Sequence, residues 1–261
     1  MMLTKEDKKN YDRDGYLIKK YMFSDEEIEL LFKIARQDDV IKKHTYGRKD
    51  KEGYTTKLAL WYSLDDNVYS AFARSESMVK GVELLLEGQP CHFHTKLMQK
   101  EPKVGGAWEW HQDYGYWYHD GFLFPYMMSV MIALTNANKD NGCLQVIRGS
   151  HLIGRIEHGK SGDQKGADMT MVDEALKRLE HVYVELEPGD TLFFHGNLLH
   201  RSDKNNSDQS RWSMISTFNR IDNIPYKEQN PSCYTPINTI ADDEILKINP
   251  TGISESSNFN Q

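Results

Sequence analysis

From residue 91 onward the chain is written in short runs of β-branched and aromatic residues separated by turn signals, at residues 91–98, 107–112, 127–135, 143–147, 181–185, 191–195 and 212–220. Runs of this length and composition read as strands. Seven of them in succession can bury their apolar faces only against one another, which predicts a barrel or a sandwich.

The first ninety residues have another texture. Ser24-Asp25-Glu26-Glu27 has the form of a capping box, and Ile28, Leu30, Leu31, Ile34 and Ala35 follow at helical spacing, so a helix is predicted over residues 25–36. Residues 37–57 are too hydrophilic for a core, and residues 68–86 read as one or two helices ending at Gly88. A single domain over residues 1–261 is therefore expected: mostly helical support over 1–90, a β core over 91–227 and a C-terminal extension over 228–261. The tail beyond Asn249 is polar enough to predict disorder. Within the β region, residues 155–170 form a Gly-, Lys- and Asp-rich excursion with the character of a lid, a binding loop or a plain surface loop, and residues 172–180 read as a short helix.

Composition removes several classes of function. With 39% hydrophobic and 27% charged residues the chain is neither disordered nor membrane-spanning. A net charge of -7 with interspersed signs offers no basic stripe for nucleic acid. The start turns charged at Lys5-Glu6-Asp7 without a signal-peptide run, and Asn258-Phe259-Asn260-Gln261 matches no peroxisomal address, so a cytoplasmic location is expected. Cys91, Cys143 and Cys233 are scattered and predict reduced, partly buried thiols rather than disulfides or a zinc site. Nothing in the sequence fixes an oligomeric state.

Two segments carry chemistry. In Trp110-His111-Gln112-Asp113 a strand would project His111 and Asp113 to one side and Gln112 to the other, so both could meet one ion. His200, after the run at 191–195, is the candidate second imidazole. Two histidines and one carboxylate on one face leave three positions open, as in Fe(II) oxygenases, whereas a structural zinc site would be closed by a fourth ligand. Arg211 leads into the apolar run Trp212-Ser213-Met214-Ile215-Ser216-Thr217-Phe218, where an unpaired guanidinium would be costly to bury. It needs an anion: a structural Asp or Glu, or the far carboxylate of a dicarboxylic acid chelating the metal.

These residues resemble the phytanoyl-CoA dioxygenase family, and around His111 its ectoine-hydroxylating branch. The similarity spans residues 91–227: Trp110-His111-Gln112-Asp113-Tyr114 with Trp117, then Asn141-Gly142-Cys143-Leu144-Gln145-Val146-Ile147 with Gly149-Ser150-His151, then Glu187-Pro188-Gly189-Asp190 with Phe193-Phe194-His195 and His200-Arg201-Ser202. The resemblance implies a double-stranded β-helix, a cupin-like jelly roll backed by helices. It implies Fe(II) on His111, Asp113 and His200, the distal carboxylate of 2-oxoglutarate on Arg211 and Ser202, Lys96 and Lys100 near that co-substrate, and Trp117 on the pocket wall. It also implies consumption of O2, release of succinate and CO2, and hydroxylation of a C–H bond in a small-molecule substrate, since Asp113 as a ligand leaves no vacancy for a halide. Two positions depart from the family pattern: Arg148 replaces a proline, and Met98 stands where the ectoine-hydroxylating branch has an asparagine.

Other readings stay open at the level of sequence. His94, paired with His92, is a packing or substrate contact before it is a ligand, and His119, His151 and His195 could line the pocket or support it. His44, His158 and His181 receive no role. The aromatic run from Trp108 to Tyr118, including Trp110 and Tyr114, is either a substrate wall, favouring a compact cationic or zwitterionic substrate, or core and rim packing. A non-redox jelly roll, either a zinc hydrolase or isomerase or a small-molecule binding module, would have no use for Arg211 at this spacing.

Overall fold

Alternation along the strands sorts their side chains into an inner and an outer set, and each set finds its own partner layer. In the computed structural model, which describes residues 2–248 and 251–259, the strands are β1 (Tyr16–Lys19), β2 (Tyr46–Lys49), β3 (Thr55–Trp61), β4 (Pro90–Lys100), β5 (Trp108–His111), β6 (Met127–Ala133), β7 (Leu144–Ile147), β8 (His158–Ser161), β9 (Gln164–Ala167), β10 (His181–Val184), β11 (Thr191–His195), β12 (His200–Ser202) and β13 (Arg211–Arg220). A major sheet of order β1-β11-β6-β13-β4-β3-β2 faces a minor sheet of order β10-β7-β12-β5. Neighbouring strands are antiparallel, and the architecture is the jelly roll, or double-stranded β-helix.

On β13 the outward residues Met214 and Phe218 join a cluster with residues of the helices α1 (Lys5–Asp14), α2 (Asp25–Gln37), α3 (Asp39–His44), α4 (Val68–Arg74) and α5 (Glu76–Leu86), among them Leu31, Phe72, Met78 and Val82. Inward, Ile215 meets Leu144, Val146 and Val184 of the minor sheet. The outer face of the minor sheet is covered in turn by α7 (Met169–Leu176), with Ile147, Val172 and Ala175 packed together.

The predicted helix at 25–36 is α2, and its capping box is intact: the Glu27 amide donates to Ser24 Oγ at 3.3 Å while the Glu27 carboxylate accepts from the Ser24 amide at 2.7 Å. Three elements depart from the sequence reading. Residues 1–90 supply β1, β2 and β3 to the major sheet as well as helices; β2 lies at the sheet edge, where an exposed polar strand is tolerated. The 155–170 excursion contains the β8–β9 hairpin. Residues 114–118 of the stretch read as a possible wall coil into α6 (Tyr114–Asp120).

The tail is also ordered where it is described. The Ile253 amide donates to Asp38 Oδ2 at 2.9 Å, the Tyr62 amide donates to the Asn258 carbonyl at 2.8 Å, and Phe259 stacks on His44 with centroids 3.9 Å apart. A polar composition hid two apolar anchors, Ile253 and Phe259, both buried. Asn249, Pro250, where disorder was expected to begin, and the final Asn260 and Gln261 lie outside the described residues. Among the described residues no helix is long and apolar enough to cross a membrane.

Candidate active site

The polar residues of the inner face gather at one place in the barrel. His200 on β12 is the direct cross-strand partner of His111 on β5. Beyond that pair two residues of β12 span three of β5, a bulge that lets Trp108 and His111 share the inner face while Trp110 turns outward. The strand stops at His111, and Asp113 is the N-cap residue of α6 in helical conformation. The expected convergence of His111 and Asp113 therefore holds, through a strand-to-helix turn rather than through strand pleating. Gln112 points away, as expected, donating to the carbonyls of Gly154 and Asn197, each at 2.8 Å.

His111, Asp113 and His200 offer one ligand atom each within 4.8 Å of one another, and all three are buried. Among the described residues no other such cluster occurs. His111 Nδ1 donates to the Glu109 carbonyl at 2.7 Å and His200 Nδ1 to the Leu198 carbonyl at 2.9 Å. These bonds place the proton on Nδ1 and leave Nε2 bare, 3.7 Å and 3.8 Å from Asp113 Oδ1. Asp113 Oδ2 accepts from Ser129 Oγ at 2.6 Å. Burial opposes charge on Asp113, yet Lys96 and the two imidazoles hold its carboxyl well below the usual range, while burial, aided by His111, pushes His200 down to about 3. The result is a carboxylate oxygen facing two imidazole Nε2 atoms, the donor set suited to a divalent iron with one face left open. Ser129→Ala is expected to weaken iron binding about 10-fold, read by anaerobic titration, because the hydrogen bond that orients a metal-binding carboxylate is nearly as important as the ligand itself.

Arg211 opens β13 opposite Lys100 on β4, and both are buried. The Arg211 guanidinium donates to the Gly142 carbonyl at 2.6 Å, its Nε has no partner, and among the described residues no carboxylate pairs with it. Burial pushes it down to about 10. Lys100 donates to the Asp203 carbonyl, and burial together with Arg211 drives its ammonium well below the lysine range. Asp50, the acidic group acting on Lys100, is already engaged by the amides of Glu52, Tyr54 and Ala107. A buried guanidinium with one bare N–H beside a buried lysine suits an incoming carboxylate, so the residues present fit 2-oxoglutarate. Ser202 is buried two residues along β12 from His200.

A cavity of about 430 Å³ opens over Asp113 and His111. Of the expected wall residues, His94 and Trp117 line it, together with Met98 and with Lys96, which was expected near the co-substrate. Trp110 and Tyr114 do not: Trp110 packs under α7 because of the bulge, and Tyr114 turns into the cluster of Phe93, Phe122 and Cys233, its hydroxyl donating to the Phe122 carbonyl at 3.0 Å. Tyr46, Arg48, Tyr62, Tyr116 and Asp120 line it instead. The 155–170 excursion reaches the same mouth through Asp163, Gln164 and Lys165, with Gln164 accepting from the Glu109 amide at 3.0 Å. His119, His151 and His195 are not among the lining residues, and Arg148 reaches the surface carboxylate of Glu180 at 2.6 Å. The three cysteines are free and buried, as expected.

The family model described as phytanoyl-CoA dioxygenase matches residues 11–213. The chain belongs to that family. As a phytanoyl-CoA dioxygenase family protein it is an iron- and 2-oxoglutarate-dependent dioxygenase that uses O2, which displaces the non-redox alternatives. Similar proteins include L-proline trans-4-hydroxylase of Streptomyces griseoviridis, 29% identical over 241 residues with 86% of this chain and 89% of that one covered. Ectoine dioxygenase of Stutzerimonas stutzeri is 25% identical, with 85% and 79% covered. Among solved structures, EctD from S. alaskensis with bound Fe superposes with a TM-score of 0.75 at 20% identity, covering 92% of this chain and 88% of that one, which supports the fold.

Proposed function

We propose that His111, Asp113 and His200 hold the iron, that Arg211 with Ser202 and Lys100 receives the distal carboxylate of 2-oxoglutarate, and that the enzyme hydroxylates a compact zwitterionic substrate in the cavity above. The observation that carries this reading is the pairing of two bare Nε2 atoms around Asp113 Oδ1 with a buried guanidinium that lacks a carboxylate partner among the described residues. When bound, iron with 2-oxoglutarate and dioxygen supplies the oxidising power for C–H hydroxylation, releasing succinate and CO2.

The protein's own residues supply position and exclusion of water. Ser129 fixes the plane of the Asp113 carboxylate, Lys96 stabilises its charge, and Phe93, Trp117 and His94 close one side of the cavity with His94 and Trp117 edge to face at 6.5 Å. The zwitterion is favoured because Arg48 and Lys96 line a cavity that Asp120 and Asp163 also line, and because Tyr62, Tyr116 and Trp117 in its wall are rings of the kind that attract a cation. Proline and ectoine, named by the two similar enzymes, are both compact zwitterions. The cavity volume suits such a molecule better than an acyl-CoA. One domain is proposed, since strands from Tyr16 to Arg220 share a sheet, and a cytoplasmic location, since buried free thiols suit a reducing compartment.

The test is a screen for substrate-coupled succinate release across free amino acids, their N-acylated and esterified forms, and acyl-CoAs, backed by calorimetry. Stimulation by one or more free amino acids or cyclic analogues, lost on acylation or esterification, is the expected result. Tight binding and turnover of an acyl-CoA or a purely apolar ligand would refute the substrate class while leaving the metal site intact.

A further inference from the structure

The polar excursion that the sequence leaves without a function holds a half-buried histidine at the back of the metal-binding turn. His158 Nδ1 lies 2.8 Å from the Ile156 carbonyl, and Nε2 lies 2.9 Å from the Gln112 amide. A carbonyl can only accept and a backbone N–H can only donate, so the ring is neutral, protonated on Nδ1, and offers its Nε2 lone pair to Gln112. The ring has no freedom to drift: a Cβ on Gly115 would sit 2.2 Å from its Cε1, and Tyr116 packs on it with centroids 5.8 Å apart. Tyr116 in turn meets His111 edge to face at 5.8 Å.

Gln112 is the single residue between His111 and Asp113, so its backbone conformation sets how far apart those two side chains stand. Its side chain is already tied, donating to Gly154 and Asn197 and accepting from the Ile156 amide at 2.7 Å. Its backbone N–H has one acceptor, His158. We propose that His158 is a positioning residue, using its imidazole as a fixed acceptor that locks the Gln112 peptide and so holds His111 and Asp113 at metal-binding separation. This rests on the metal site proposed above. It also gives the β8–β9 hairpin a second role, because β8, which begins at His158, leads through the turn at Asp163 to Gln164 and Lys165 of β9 at the cavity mouth. Contacts made by a substrate at the mouth are thereby linked by one short hairpin to the geometry of the iron ligands.

The test uses the full chain, titrated anaerobically with Fe(II) in the presence of 2-oxoglutarate, following the visible absorption of the complex and thermal unfolding in parallel. His158→Leu removes the acceptor and should weaken iron binding about 10- to 100-fold, whereas His158→Gln, whose amide oxygen can accept from Gln112, should stay within roughly threefold of the parent. Gly115→Ala pushes the ring from its seat and should weaken iron binding without removing any acceptor atom, and it decides the matter should His158→Leu fail to fold. Parent-like iron affinity in folded His158→Leu or Gly115→Ala overturns the inference alone, as does a His158→Gln loss equal to that of the leucine variant. A parent protein that binds no iron overturns the metal site and this inference together.

Discussion

Arg211→Ala is expected to raise the 2-oxoglutarate concentration needed for half-maximal turnover by about 30-fold or more while iron stays bound, since truncating one partner of a buried charge pair costs about 2–5 kcal/mol and each 1.4 kcal/mol is tenfold. The size of the effect follows from the surroundings. Arg211 and Lys100 are buried side by side, and the available carboxylate, Asp50, is spent on three backbone amides. A dicarboxylic acid bound there satisfies a guanidinium that the fold leaves with a bare Nε. With alanine at 211, Lys100 alone faces the carboxylate and cannot offer a bidentate fork. Co-substrate titration at saturating iron, with metal content measured on the same sample, separates this outcome from loss of the metal. Unchanged turnover at low 2-oxoglutarate would remove Arg211 from the site.

The second large effect is on the metal itself. Asp113→Ala leaves two neutral imidazoles and no negative charge at the ion, and hydroxylation should fall by about 1,000-fold or more, with weakened iron affinity as the accompanying change. Ser129 would lose its acceptor and Lys96 would lose the carboxylate it stabilises, so the loss extends beyond one ligand. Substrate-coupled succinate release and iron titration measure the two parts. A variant that retains hydroxylation at the parent rate would refute the assignment of Asp113.

How much of this was legible in the sequence differed by residue, and the differences have physical causes. Arg211 stood out because a guanidinium beside an apolar strand demands an anion wherever the strand packs. The same reasoning applies to Ser129, the one hydroxyl inside the apolar strand Met127–Ala133. His111 and Asp113 were placed together by strand parity, yet the chain reaches that arrangement by leaving the strand after His111. Trp110 and Tyr114 fell outside the cavity for the same reason: parity fails across a bulge and again where a strand becomes a helix. His200 could be matched with His111 through resemblance, but β12, only three residues long and polar, carried no strand signal of its own. His158 and the edge strand β2 were invisible because their sequence is polar and their importance comes from contacts distant in the chain. The tail failed the opposite way, since two buried apolar side chains outweighed a polar composition.

The central claim is that one carboxylate and two imidazoles bind iron on a single face, with the guanidinium of residue 211 receiving the far end of the co-substrate. The most direct measurement is an anaerobic crystal structure of the protein loaded with Fe(II) and 2-oxoglutarate. The expected result is iron on His111 Nε2, Asp113 Oδ1 and His200 Nε2, with 2-oxoglutarate filling two further positions and its distal carboxylate on Arg211. Iron bound elsewhere, iron closed off by a fourth protein ligand, or a co-substrate carboxylate held away from Arg211 would contradict it.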